Sequence, residues 1–188
     1  MSLLFEMNRA DLISPDYEQE QRILHAAPRG YGGRGRKWAP VVAELVREYS
    51  ASSVLDYGAG QGTLAIALKQ LVPQWTRITE YDPAVERINI VPSFADLVNC
   101  TDVLEHIEPA KLRFVLSHLR MLTRKVLWVV VSTTETAKVL SDGRNAHLTV
   151  QPAEWWKETV TTVGFTMRQV PAEARQRPDK EWMAALTP

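Results

Sequence analysis

Residues 54–64, VLDYGAGQGTL, constrain the fold more than any other stretch. An apolar run ends in an aspartate, and glycines at 58, 60 and 62 lead into a helix-forming segment. A side chain at Gly58 or Gly60 would block the backbone, so a buried strand that turns sharply there can bring main chain against a ligand. The spacing also predicts free N–H groups at the start of a helix over 63–71, placed to bond an acidic or polar ligand group.

A G-x-G-x-G loop by itself decides little, because dinucleotide sites use the related G-x-G-x-x-G and many glycine turns bind nothing. Its surroundings narrow the choice. Asp56 stands two residues before the loop, and a second strand-like run, Arg77 to Tyr81, ends at Asp82. An acidic residue in that position accepts bonds from two ribose hydroxyls. On these residues the chain resembles the class I S-adenosylmethionine-dependent methyltransferases, whose loop has the form hhDhGxGxG. The resemblance runs from about Ser53 to the C-terminus. Within it, Asp96-Leu97-Val98 and Val103-Leu104-Glu105-His106-Ile107 look like the matching stretch of ubiquinone-biosynthesis O-methyltransferases. The resemblance implies S-adenosylmethionine as methyl donor, held by Asp56, Gly58, Ala59, Gly60 and Asp82. Gly62 would ease entry into the helix, and Thr101 and Asp102 would line the methionine and sulfonium side.

A chain of 188 residues suits one domain, here divided into an N-terminal lid and helix over 1–50 and a catalytic core over 51–188. The stretch to about Gly35 is polar and mixed and reads as an appendage. Val42, Leu45, Val46 and Tyr49 then make one apolar helical face over 38–49. After the glycine loop, a strand over 76–81 is separated from another over 97–100 by a short passage with Pro83 and Pro92. That leaves little room for the helix and strand the family normally fits there, so the third strand is reduced. Leu112, Val115, Leu116, Leu119 and Leu122 form a second amphipathic face, and KVLWVVV (125–131) is a strand buried on both sides. A long loop over 132–151, a helix over 153–163 and two strands over 165–170 and 182–186 complete the chain. The alternation implies an α/β doubly wound, Rossmann-like sheet with an antiparallel last strand.

Lys and Arg total 22 against 22 for Asp and Glu, so no overall field favours an extended nucleic-acid footprint or an acidic membrane. A basic cluster, Arg29, Arg34, Arg36 and Lys37, lies among glycines and reads either as a solvated loop or as a clamp for an anion. The single cysteine, Cys100, excludes an internal disulfide framework and fits packing in a strand. No apolar run approaches the roughly 18 residues of a membrane span. The N-terminus lacks a basic region followed by a long apolar core. These features lead us to expect a cytoplasmic, soluble protein.

Methyl transfer from a sulfonium is an in-line displacement, and a hydroxyl acceptor must also lose a proton, which a general base or a metal can take up or promote. Asp102, Glu105 and His106 have the spacing D-x-x-E-H after the strand at 97–100, and the loop GRNAHL carries His147 towards the same edge. Two carboxylates and two imidazoles make a mixed O/N set for Mg²⁺ or Mn²⁺. The pattern resembles the small-RNA 3′-terminal 2′-O-methyltransferases, in which an E-x-x-E-H motif and a later histidine hold a metal on vicinal hydroxyls. Here Asp102 replaces the first Glu, with a shorter reach. The competing reading makes Asp102 a helix cap, Glu105 a first-turn residue and His106 a hydrogen-bonded pocket residue. Without a metal, His106, His147 or Glu105 would act as the base. Arg144 is placed to bind an acidic acceptor, or Asp142-Gly143 simply makes a turn around it. Trp155 and Trp156 diverge by about 100° on a helix, which sends Trp156 to the core and leaves Trp155 to stack on a substrate ring. By resemblance, the segment before the first strand folds over the donor as a lid, with Tyr31 and Lys37 as its contacts.

The leading expectation is O-methylation of a hydroxyl on a small molecule, sugar or nucleoside, such as one of a vicinal pair or a catechol-like ring. Its alternatives are metal-free methylation of a nitrogen or carboxylate, and a binding module that keeps the fold without turnover. Loss of both histidines should hurt an amine methyltransferase little, and failure to bind donor would favour the module.

Overall fold

In the computed structural model, residues 8–27, 31–174 and 179–188 are described. Four parallel strands form the left and centre of a six-stranded sheet: β1 (Ser53–Tyr57), β2 (Arg77–Tyr81), β3 (Ala95–Thr101) and β4 (Thr123–Ser132). β5 (Thr166–Arg168) and β6 (Glu181–Thr187) close it antiparallel, in the order β2-β1-β3-β4-β6-β5. The passage from Asp82 to Phe94 holds one short 3-10 turn, Glu86–Ile88, and no strand. With so few residues the chain returns directly to β3 beside β1, and among the described residues the sheet has no strand outside β2.

Val126 to Val131 of β4 are wholly buried, as a strand covered on both faces must be. One cover comprises α5 (Leu112–Leu122) and α6 (Ala153–Thr161), which pack Leu116, Leu119, Trp156 and Val160 against Val98, Leu127 and Val129. On the other face α3 (Ala39–Glu48) and α4 (Thr63–Leu68) place Val42, Leu45, Leu64 and Leu68 against Val54, Leu97 and Trp128. Cys100 lies inside this core with no exposed surface. Several expected elements end early: α4 stops at Leu68 rather than 71, α6 at Thr161 before the left-handed Gly164, and β5 has three residues.

The N-terminal stretch departs from its reading as an appendage. It folds into α1 (Arg9–Leu12) and α2 (Pro15–Ala26). Ser14 caps α2 by accepting from the Tyr17 N–H (3.3 Å), and Pro15 follows at the first helical position. The Ser14 N–H and Oγ–H both donate to Glu108 (2.9 and 2.7 Å). Ile13 and Tyr17 pack with Leu140 and Ala146 of the 132–151 loop, and Ser141 donates to Glu20 (2.8 Å from its N–H). Polar composition hid these helices because each buries only a narrow stripe, α1 through Leu12 against the main core and α2 through Tyr17 against the 132–151 loop.

Candidate active site

The carboxyl ends of β1, β2 and β3, with α2 and the 132–151 loop as a roof, enclose a cavity of about 430 Å³. That lies within the ordinary range for small-molecule sites. Asp56, Gly58, Ala59, Asp82, Thr101 and Asp102 line it. Glu105, His106 and His147 line it as well.

The glycine loop is used differently from the sequence expectation. Its N–H groups are not free: Gly58 and Ala59 donate to the Tyr81 carbonyl (2.7 and 3.1 Å), Gly60 to Asp82 Oδ2 (3.0 Å), and Gln61 to the Gly32 carbonyl (3.0 Å). Gly60, at φ +51°, allows close approach of the chain's own segment, since a Cβ there would stand 2.7 Å from the Gly32 oxygen. Gly62, at φ +72°, caps α4. The loop therefore offers a ligand its shape, while Asp82 offers a carboxylate that accepts from Gly60 and Ala84 (3.0 Å each) and keeps unused lone pairs at the cavity wall. Asp56, beneath the loop, accepts from Asn99 (2.8 Å), and burial pushes its carboxyl up to about 7.

Glu105, His106 and His147 come together, each offering a ligand atom within 4.8 Å of the others. Asp102 does not join them. It adopts a left-handed conformation, φ +57°, which turns the chain before a 3-10 turn at Leu104–His106 and breaks the continuous helix that would have aligned 102 with 105. Its carboxylate faces Trp38 Nε1 (3.4 Å), Lys37 (3.5 Å) and Arg34 (3.9 Å). The expected quartet is thus a triad. Lys37 is likewise spent outside the cavity, between Asp102 and Glu181 (3.5 Å each). Arg34 and Lys37 therefore act as an internal clamp on acidic groups, whereas Arg29 lies outside the described residues.

Glu105 is almost fully buried. Its Oε1 accepts from the Ser132 N–H (3.0 Å), while Oε2 has no hydrogen-bond partner among the described residues. Burial first, and then the nearby Asp102 charge, push its carboxyl up to about 8. His106 and His147 stand ring to ring at 4.7 Å. The His106 Nδ1 lies 2.7 Å from the Ala146 carbonyl and the His147 Nδ1 2.7 Å from the Thr134 carbonyl. A carbonyl only accepts, so each Nδ1 carries the proton and each Nε2 keeps its lone pair. Burial, reinforced by His147, lowers His106 to about 4, and burial lowers His147 as well. Both rings are neutral near pH 7. Two neutral imidazoles with their outer N–H tied to carbonyls and an orphaned carboxylate oxygen fit a divalent cation.

Arg144 lies outside the cavity, exposed and paired with Asp142 (2.6 Å) in a tight turn around Gly143. Trp155 lines a separate groove of about 490 Å³ between α5 and α6, which shares His147 with the main cavity. Tyr31 enters the main cavity, but its hydroxyl meets His106 rather than the donor loop. His25, Tyr17, Gln21, Thr136 and Lys138 also line the cavity, and the sequence reading passed over them. The Ser14-Pro15 helix-start signal could have flagged the first three. Nothing local marks Thr136 or Lys138, which reach the cavity only through the course of their loop.

A family profile described as "Methyltransferase domain" matches residues 31–170. No protein of curated function matches the chain in sequence. Solved structures share the fold. An O-methyltransferase family protein from Burkholderia thailandensis superposes with a TM-score of 0.59 at 17% identity, over 91% of this chain and 63% of that one. The 1,6-didemethyltoxoflavin-N1-methyltransferase of Burkholderia thailandensis, bound to 1,6-didemethyltoxoflavin and S-adenosylhomocysteine, superposes with a TM-score of 0.56 at 16% identity, over 92% and 83%. The methyltransferase domain of bacterial CtHen1 gives a TM-score of 0.52 at 16% identity, over 81% and 97%. The chain spans less than two thirds of the length of the first of these, as it does of other O-methyltransferases it matches.

Proposed function

Because this chain belongs to the methyltransferase domain family, within the class I S-adenosylmethionine-dependent enzymes, we propose that it methylates a hydroxyl group on a small molecule, sugar or nucleoside. The observation that carries this reading is the Glu105–His106–His147 triad lining the same cavity as the glycine loop and Asp82. A neutral amine has less need of such a cluster, because its nitrogen is nucleophilic enough to attack before it loses a proton, whereas a neutral hydroxyl is not. In the reaction the sulfonium C–S bond breaks as the O–CH₃ bond forms, the donor leaves as a neutral thioether, and the hydroxyl proton must go elsewhere.

Asp82 would hold the donor's ribose, with Gly58 and Ala59 packing beside it and Asp56 and Thr101 shaping the floor. Mg²⁺ or Mn²⁺ would be held by Glu105, His106 and His147 and would supply the Lewis acidity that makes the acceptor hydroxyl easier to ionise. The depressed His106 favours the role of ligand over that of base: a group near pKa 4 is neutral and ready to coordinate, yet has little drive to take a proton at pH 7. Metal-free catalysis is the second reading, and Glu105 carries it. Held near pKa 8, its ionised form is a base matched to neutral pH.

Calorimetric titration of S-adenosylhomocysteine and then Mn²⁺ into metal-stripped protein tests the assignment. Binding of both, with Mn²⁺ binding lost in His147→Ala, supports the metal-assisted reaction. Product binding with no Mn²⁺ response refutes the metal triad and leaves Glu105 as base.

A further inference from the structure

The cavity already contains a phenol. Tyr31 projects into it with its hydroxyl 3.1 Å from His106 Nδ1 and 3.3 Å from Nε2. Nδ1 is committed to the Ala146 carbonyl, so the tyrosine O–H donates to the Nε2 lone pair. The ring meets the edges of His25 (centroids 5.0 Å apart) and His106 (5.6 Å), and the Lys138 ammonium stands 5.0 Å from its centroid. These contacts use the quadrupole of a π system, which a sugar or an aliphatic alcohol lacks. The main chain at this point is held by one residue of the glycine loop. Gln61 donates through Nε2 to the Tyr31 carbonyl (2.9 Å) and through its N–H to the Gly32 carbonyl (3.0 Å). Two bonds of ordinary strength at a half-buried site make a contact that can open.

We infer that Tyr31 is an internal occupant of the acceptor site: its phenol stands where a hydroxylated aromatic acceptor binds, and it must swing out before that acceptor enters. This inference rests on hydroxyl methylation as the function and names the acceptor class, an aryl alcohol. In the metal-free reading, with Glu105 as base, a phenolic acceptor would inherit the His106 bond and the Lys138 contact. A second hydroxyl beside the first would meet Glu105 and His147, which adjoin His106.

The test uses the full chain with phenol and catechol as probes. Calorimetry compares phenol binding to wild type, Tyr31→Ala and Tyr31→Phe, with far-UV circular dichroism as the check on folding. Removing a competitor that fills the site most of the time raises apparent affinity by the inverse of the open fraction, so Tyr31→Ala should bind phenol at least about tenfold more tightly. Tyr31→Phe keeps the blocking ring and should show no such gain. Equal or weaker phenol binding in folded Tyr31→Ala overturns the inference. If that variant does not fold, hydrogen exchange on wild type decides. Phenol should raise exchange of the Gln61 N–H by displacing the Gly32 carbonyl that accepts from it, and unchanged exchange overturns the inference.

Methyl transfer is followed in the same samples with catechol and with ribose. Tighter phenol binding in Tyr31→Ala without transfer to any hydroxyl supports the aryl site and refutes hydroxyl methylation. Transfer to ribose with no gain in phenol affinity keeps hydroxyl methylation and overturns the role of Tyr31.

Discussion

Glu105 should make the metal-free protein less stable as pH rises through neutrality. In the unfolded chain its carboxyl ionises near the ordinary value of 4.5, but in the folded protein burial holds the proton until about 8. Between those values the native state binds the extra proton, so raising the pH favours unfolding, and below both values the effect vanishes. From pH 6 to pH 8 the penalty accumulates at about 1.4 kcal/mol per unit. It flattens as the native carboxyl begins to ionise, for a total of about 2 kcal/mol. Glu105→Gln isolates this effect, because the amide oxygen still accepts from Ser132 and the side chain has no proton to lose. Urea unfolding of both proteins, metal-stripped, at the two pH values reads the difference directly. The buried histidines titrate equally in both proteins and cancel. Wild type should lose about 2 kcal/mol more than the variant over this interval. Parallel pH dependences would refute the reasoning, since Glu105 would then be hydrated or already ionised in the fold. Saturating Mn²⁺ at pH 8 should restore wild type and leave the variant little changed, as binding to the native state alone adds stability.

Gly60→Ala should cost about 2–3 kcal/mol, from left-handed strain and from pushing the Gly32 backbone off the loop. It should also weaken S-adenosylhomocysteine binding, and an unchanged urea midpoint would contradict the close Gly32–Gly60 contact. Ser14→Ala removes the α2 cap and a bond to Glu108, a loss of about 1–2 kcal/mol, with faster amide exchange in α2 as the local readout. Asp82→Ala leaves the Gly60 and Ala84 N–H groups without their acceptor and removes the proposed ribose carboxylate. Calorimetry should find donor-product binding abolished, and retained affinity would remove Asp82 from the site.

Sequence alone determined the elements whose burial is periodic and whose chemistry is local. KVLWVVV could only be a strand covered on both faces, the five apolar positions from Leu112 to Leu122 specify one helical stripe, and GAGQG demands positive φ between a strand and a helix. The few residues between Asp82 and Phe94 pointed to a reduced third strand, and the structure goes further, with no strand between them. Such features need no knowledge of distant partners. The site was legible only in part. His106 and His147 were identifiable as a pair because each follows a strand end, but their 4.7 Å separation is set by the return of the 132–151 loop beneath α2.

Tertiary structure alone decided the rest. One backbone dihedral at Asp102 turned an expected metal ligand towards Trp38 and Lys37, a choice that residue spacing cannot encode. The approach of Gly32 to Gly60 turned part of a loop expected to offer free N–H groups to a ligand into a contact for the chain's own N-terminal segment. Ile13 and Tyr17 found their apolar contacts far along the chain, at Leu140 and Ala146 in a loop with no periodicity of its own. In each case the deciding energy is a contact between segments remote in sequence, and a one-dimensional pattern carries no record of which surfaces will meet.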